Sequence, residues 1–303
     1  MGKFSNNAAF IGVIEHGSFA EAARKMGLSR SHVNKSVIAL EDALGVQLLV
    51  RTTRKVSPTP SGEAYYKHVR RIMTDLEDAE RAVSEDNDEP RGILRLNAPM
   101  SFGSLHLASA ITDFMCQYPK LSVELSLDDR FIDPIAEGYD ATIRIAELNN
   151  SPSLIDHPIV KVRRYFMASP QFLRENGQIE APEQLKSLRC LHYGTLGEGH
   201  MWRIVGNDKT HTIQVNGVMC ANNGEVLYEA AKRGLGIAFL PTFIAGPALQ
   251  SGELVRVLTE YTPPEIHLML LYPPNRHLAP KIKRLIDFLY DRFGGRPYWD
   301  LFE

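Results

Sequence analysis

Cysteine is scarce in this chain: three among 303 residues, at Cys116, Cys190 and Cys220, far apart in sequence. That spacing excludes a disulfide framework and fits reduced thiols in a cytoplasmic protein. Long apolar runs are missing too. None approaches the ~18 residues of a membrane-crossing helix, so no membrane is expected as a partner. No secretory leader opens the chain, and Asn6 stands where an N-myristoylation motif needs Ser or Thr. Ten histidines supply no His-Glu-x-x-His, and no Cys-x-x-Cys exists, so no metal site is expected. A Walker loop and a Gly-x-Ser-x-Gly elbow are likewise missing. The stretch from Gly234, G-L-G-I-A-F, lacks the third glycine of a dinucleotide fingerprint and reads as a helix end turning into a buried strand. The expectation is a protein with no catalytic residues and no cofactor, hence not an enzyme.

A net charge of −2 excludes a protein that is basic all over, but the charge is unevenly spread. Residues 1–62 hold eight basic side chains against four acidic ones, whereas residues 63–90 hold four against nine. A basic module followed by an acidic stem suits a localised contact with nucleic acid. Apolar residues make up 44% and charged ones 23%, ordinary values for a globular protein long enough for two or three domains.

Ser18 to Gly45 carries the sharpest signal. Ser18 followed by Glu21 is a capping box. Phe19, Ala22, Ala23 and Met26 then mark one apolar stripe, and Gly27 can end that helix. Ser29 caps a second helix whose inner face is Val33, Val37, Leu40 and Leu44, closed by Gly45. Two short helices around a glycine turn predict a helix-turn-helix. Arg30, Ser31, Asn34 and Lys35 project outward at the start of the second helix, where such a helix meets base edges; Arg can fork to guanine and Asn to adenine. His32 lies beside them, able to touch phosphate or simply to pack. Phe10, Val13 and Ile14 form the stripe of a helix before this pair. Val46–Val50 and Lys55–Ser57 can pair as a wing carrying Arg51, Arg54 and Lys55 for phosphate or minor-groove contact.

Thr59 and Pro60 open another helix. Gly62, Tyr65, Val69, Ile72, Leu76, Ala79 and Val83 alternate spacings of three and four, a coiled-coil seam of about three heptads that packs either on its own domain or, the favoured reading, against a second copy. It runs out in the charged hinge E-D-N-D-E-P. From Gly92 strands alternate with helices, which predicts an α/β fold. Leu121–Leu127 alternates as a half-buried strand, Gly103–Gln117 is helical, and one strand over Lys161–Ala168 crosses into a second unit. Ile266–Tyr272 returns to the first, so a cleft lies between two subdomains.

Ligands in such sheets sit beyond strand carboxyl ends. Met100, Ser101 and Phe102 lie between a strand and a helix start, and Asn222 and Asn223 precede another helix; each asparagine could equally cap. Asp128 and the loop His192–Thr195, with Tyr193 and Thr195, complete the walls. Arg144 can neutralise an organic anion or pair with Asp140.

The stretches H-G-S-F-A-E-A-A-R-K-M-G-L-S and V-I-A-L-E-D-A-L-G-V-Q-L-L-V-R-T-T-R-K-V resemble the DNA-binding domain of LysR-type transcriptional regulators, and the resemblance runs through the chain in order. It departs at His32, usually a small residue, at Asn34-Lys35, often Ser-Arg, at Leu49, usually Phe, and at Pro58, usually Leu. The first two of these fall on the reading face, so a relative's target sequence does not transfer.

The resemblance implies an all-α winged helix-turn-helix over 1–61, a linker and dimerisation helix over 62–90, and a periplasmic-binding-protein-like effector domain over 91–303. Within the last, subdomain I is 91–162 and 267–303, and subdomain II is 163–266. It also implies double-stranded DNA and a small-molecule effector as partners, in a homodimer doubled into a homotetramer. Ser18, Ser29 and the reading-face and wing residues above are then DNA-binding, and Met100, Ser101, Asp128 and Tyr193–Thr195 line the effector cleft. The rival reading is an enzyme or solute-binding module with a winged-helix appendage. A third is an effector-independent repressor with its cleft filled by side chains.

Overall fold

The computed structural model describes residues 2–51, 56–83, 89–130, 132–148, 153–194, 201–206, 209–274 and 279–301. Arg54, Lys55 and Thr195 therefore lie outside the described residues, as do the Arg51 side chain and most of the charged hinge. The chain forms two compact units, Met1–Asn87 and Asp88–Glu303.

The first unit begins with helices α1 (Lys3–His16), α2 (Phe19–Met26) and α3 (Arg30–Leu44). Their shared core is Phe10, Val13, Phe19, Ala22, Val33, Val37 and Leu40. Gly27 and Gly45 both take left-handed backbone, which stops α2 and α3 where the sequence reading expects. Two expectations need correction. Only half of the capping box forms: Ser18 Oγ accepts from Ala20 N and Glu21 N, but the Glu21 carboxylate turns to Arg24, accepting from its Nε at 3.1 Å. And Leu44, in the last turn of α3, is exposed.

Strands β1 (Leu49–Arg51) and β2 (Val56–Pro58) pair antiparallel as the wing, shorter than expected. One oxygen of Glu41 accepts from both Leu48 N (2.9 Å) and Leu49 N (3.0 Å), fixing the entry to the wing. Thr59 then caps α4 (Pro60–Val83): its hydroxyl accepts from Gly62 N at 3.0 Å and donates to the Gln47 carbonyl at 2.8 Å.

The apolar seam of α4 is divided, contrary to the reading of one continuous partner-facing edge. Its first turns close the core of their own unit. Val69 is buried, and Tyr65 donates to Asn7 Oδ1 at 3.0 Å with its ring 5.8 Å from Phe10. Arg70 Nε donates to Glu15 at 2.7 Å on the same side. Ile72, the next seam residue, is 55% exposed.

The second unit contains two five-stranded sheets. The first has strand order β4-β3-β5-β14-β6, built from β3 (Gly92–Ala98), β4 (Leu121–Leu127), β5 (Ala141–Ala146), β6 (Ile155–Val162) and β14 (Ile266–Tyr272). The second runs β11-β8-β12-β7-β13, from β7 (Arg164–Ala168), β8 (Arg189–Tyr193), β11 (Asn216–Ala221), β12 (Ile237–Pro241) and β13 (Val255–Val257). Each has three parallel strands followed by two antiparallel neighbours. The single strand expected over Lys161–Ala168 is two, one in each sheet, with the crossing at Arg163.

In chain order the helices of this unit are α5 (Met100–Phe102), α6 (Ala108–Gln117), α7 (Pro134–Glu137), α8 (Pro170–Asn176), α9 (Gly224–Lys232), α10 (Thr242–Ser251) and α11 (Pro280–Phe293). Between α5 and α6 the turn Gly103–Leu107 is a π-helix, a form frequent near functional sites. A hairpin of β9 (Met201–Gly206) and β10 (Lys209–Gln214), which carries no alternation strong enough to be read from sequence, covers the second sheet. Lys281 locks α11 to the first sheet. It is buried, and its Nζ donates to Asp140 at 3.0 Å and to the Ile93 carbonyl at 2.8 Å.

Candidate functional site

Two surfaces carry chemistry, one in each unit. In the first, burial of Val33, Val37 and Leu40 fixes the rotation of α3 and leaves Arg30, Ser31 and Lys35 exposed at its start. His32 and Asn34 are half-buried beside them. Ser29 and Ser18 both act as caps: Ser29 Oγ accepts from His32 N at 3.1 Å. No acidic side chain lies in the first turn of α3, so the positive end of its dipole is uncompensated there. An exposed Arg-Ser-x-x-x-Lys strip on a capped helix end, held by two other helices, has the shape and the donors to enter a major groove.

In the second unit a cavity of about 480 Å³ lies between the two sheets. Ser101 and Phe102 enter it from beyond β3, and Tyr193 from the end of β8. Arg144, on β5, lines it as expected but does not pair with Asp140. Asp140 sits four residues back along an extended strand, about 13 Å away by strand rise, and its carboxylate is held by Lys281 and the Arg95 amide. The Arg144 guanidinium instead donates to the Ile143 carbonyl at 2.8 Å, to Asn97 Oδ1, and to the Arg130 carbonyl at 3.2 Å. Burial holds it below the usual guanidinium range, against the pull of Asp129 and Asp128.

Several expected wall residues are elsewhere. Asp128 does not line the cavity; it accepts from Arg130 Nε at 2.6 Å and Arg130 N at 2.8 Å. Its neighbour Asp129 is the wall residue, one position being enough to reverse the side at a strand end. Burial pushes the Asp129 carboxyl up, while the Met100 amide donating to it at 3.2 Å acts the other way. Burial and the facing Asp129 carboxylate both push the Tyr193 phenol up. Met100 is exposed and outside the wall. Asn222 is exposed as well, and Asn223 caps α9, accepting from Glu225 N at 2.9 Å and Val226 N at 3.2 Å. Gly224 takes their place in the wall; a Cβ there would strike Ile244 at 2.4 Å.

The sequence reading missed Glu147, Arg164, Trp202, Arg203 and Phe239. Arg164 starts β7, and a charged side chain on a strand otherwise buried (Phe166, Met167, Ala168) was the available signal. Its Nη2 donates to the Pro264 carbonyl at 2.8 Å, and its guanidinium lies 4.7 Å from the Phe239 ring centre. Burial pulls it down to about 10. Arg203 on β9 pairs with Glu147 beyond β5 at 3.3 Å, joining the two subdomains across the cavity. His192 is buried and accepts from Trp202 Nε1 at 3.2 Å. The cavity thus holds three guanidiniums and two carboxyl groups within a mostly apolar lining. No cluster of potential metal ligands occurs among the described residues, and none of their helices is long and apolar enough to cross a membrane.

Residues 5–63 match the family model of the bacterial regulatory helix-turn-helix protein of the lysR family, and residues 87–294 match the LysR substrate binding domain. An uncharacterized HTH-type transcriptional regulator of Haemophilus influenzae is 35% identical over 282 residues, which is 93% of this chain and 98% of the relative. Among solved structures, the full-length Vibrio cholerae virulence activator AphB is similar with a TM-score of 0.58 at 26% identity, covering 95% of this chain and 98% of that one. CrgA of Neisseria meningitidis gives a TM-score of 0.59 at 27% identity, covering 95% and 97%. Nothing in these comparisons supports the rival enzyme reading. A helix-turn-helix unit and a two-sheet unit with a cavity between its sheets, each matched by its own model, place this chain in the LysR family of bacterial transcriptional regulators.

Proposed function

We propose that this regulator reads an operator through α3, with Arg30, Ser31, Asn34 and Lys35 at base edges, His32 and the wing residues Arg51, Arg54 and Lys55 at the backbone, and Ser18 and Ser29 setting the helix ends. It works in the cytoplasm as a homodimer joined through the α4 seam at Ile72, two dimers making a tetramer. An organic anion is the effector. Domain limits near 61 and 90, with subdomain II inserted at about 163–266, are the working frame.

The observation that carries the effector reading is the cavity itself. At about 480 Å³ it is not filled by side chains, which speaks against an effector-independent repressor, and three guanidiniums line it. An effector preferring one separation of the two subdomains shifts the population of DNA-competent forms by its difference in affinity.

The test is a gel shift on promoter DNA flanking the protein's own gene, over a series of salt concentrations. Sequence-selective binding that weakens steeply with salt is expected. Arg30→Ala and Asn34→Ala should each cost ~1–3 kcal/mol and relax base preference at one position, whereas Arg54→Ala should weaken every sequence alike. Binding indifferent to sequence would overturn the proposal.

A further inference from the structure

Of the three guanidiniums in the cavity, two are already committed. Both terminal nitrogens of Arg144 are engaged, with Ile143 and Arg130 carbonyls and Asn97. Arg203 is paired with Glu147, the carboxylate that would otherwise serve Arg164. Arg164 differs. Among the described residues its sole hydrogen bond runs from Nη2 to the Pro264 carbonyl, and its Nε is buried with no partner. A buried donor without an acceptor is costly, and more so on a charged group. The surroundings also hold this guanidinium in one place. It lies over Phe239, which is itself stacked on Phe166 with ring centres 4.5 Å apart and planes 19° off parallel. Most of the cavity lining is apolar, with Phe102, Ile145, Trp202, Leu240, Phe243 and Ile266, beside the polar Ser101, Asp129 and Tyr193.

We infer that Arg164 anchors the effector, and that the effector is a monocarboxylic acid with an apolar, ring-sized body. One cation with free donors fits one carboxylate, and the fork geometry of guanidinium matches its two oxygens. The apolar wall takes the rest of the molecule. A second carboxylate would have to displace Glu147 from Arg203 or break the bonds of Arg144. The inference rests on the effector reading given above.

The test uses the full-length protein and calorimetric titration with three probes: cyclohexanecarboxylate, cyclohexanecarboxamide and glutarate. Cyclohexanecarboxylate should bind, and the amide and the diacid should each bind roughly 10- to 100-fold more weakly, since each lost charge-assisted bond is of that order. Arg164→Gln keeps an amide donor for Pro264 but loses the charge; it should reduce cyclohexanecarboxylate binding by the same factor and leave the amide unaffected. Should Arg164→Gln fail to fold, Arg164→Lys, which keeps charge without the fork, serves in its place, and the probe comparison needs no variant. Met201→Trp, at the exposed mouth of the cavity, locates the ligand. If Met201→Trp abolishes binding while Arg164→Gln does not, the cavity stands and the anchor falls. If neither variant matters, the ligand sits elsewhere and the effector reading falls too. Preference for glutarate, or no binding of any probe, overturns the monocarboxylate assignment.

Discussion

His106 shows how one side chain ties the cavity to its supports. It sits on the π-helical turn with its Nδ1 against the Tyr298 hydroxyl and its Nε2 2.8 Å from the Phe243 carbonyl. Rings of Phe102, Phe243, Tyr298 and Trp299 surround it, and Phe102 and Phe243 are also cavity wall. Burial pushes this imidazole below its ordinary value, the carbonyl of Phe243 opposing. The folded protein therefore favours the neutral form. Above pH ~6.5 neither state takes up the proton and stability is full; as the pH falls below that, the unfolded chain protonates first and stability is lost. The expected slope from this residue is at most ~1.4 kcal/mol per pH unit, until the folded form titrates too. Urea midpoints between pH 7.5 and 5.5 check it: His106→Gln should be less stable at pH 7.5 but flatter across the range.

At the scale of elements, the junction of wing and α4 is close-packed at Gly62. A Cβ on Gly62 would lie 1.9 Å from the Leu48 carbonyl oxygen, a backbone atom that cannot swing away. Gly62→Ala should therefore cost about 3–5 kcal/mol, a size reserved for core disruption, seen as early thermal unfolding of the DNA-binding unit with the effector unit unchanged. Gly62 was legible in the sequence only as a seam position. The helix-turn-helix was legible because a cap, two stripes and two terminating glycines all agree within Ser18–Gly45. Most strands of the first sheet were legible, Leu121–Leu127 by its alternation and β3 by the break in composition at Gly92, but β6 (Ile155–Val162) was not, its end being merged into the strand expected over Lys161–Ala168. The cavity was half legible. Ser101, Phe102, Arg144 and Tyr193 follow from the rule that sites gather at strand ends. Arg164, Arg203 and Glu147 come together only through pairing of elements distant in sequence, which periodicity does not encode. Asp128 was mistaken for Asp129 because alternation loses its parity once a strand ends, and Asn223 proved to be a cap, the common fate of an asparagine before a helix.

For the molecule as a whole, a dimer joined through α4, as proposed, would separate folding from assembly. Tyr65 and Val69 belong to their own unit, whereas Ile72 is exposed. Ile72→Asp should shift the protein to monomer in sedimentation velocity and weaken operator binding, while leaving the melting of the DNA-binding unit within about 0.5 kcal/mol of wild type, as for any exposed position. A variant that stays dimeric would move the subunit contact away from α4.

The order β4-β3-β5-β14-β6 has a temporal meaning as well. Strand β14, the neighbour of both β5 and β6, is synthesised more than a hundred residues after β5. While the ribosome is still adding those residues, the inserted lobe can already close upon itself, but Ile155–Val162 waits without the neighbour it will have. A message truncated before codon 266 would thus release a polypeptide with its inserted subdomain finished, its first sheet lacking β14, and a raw strand edge inviting quality-control proteases.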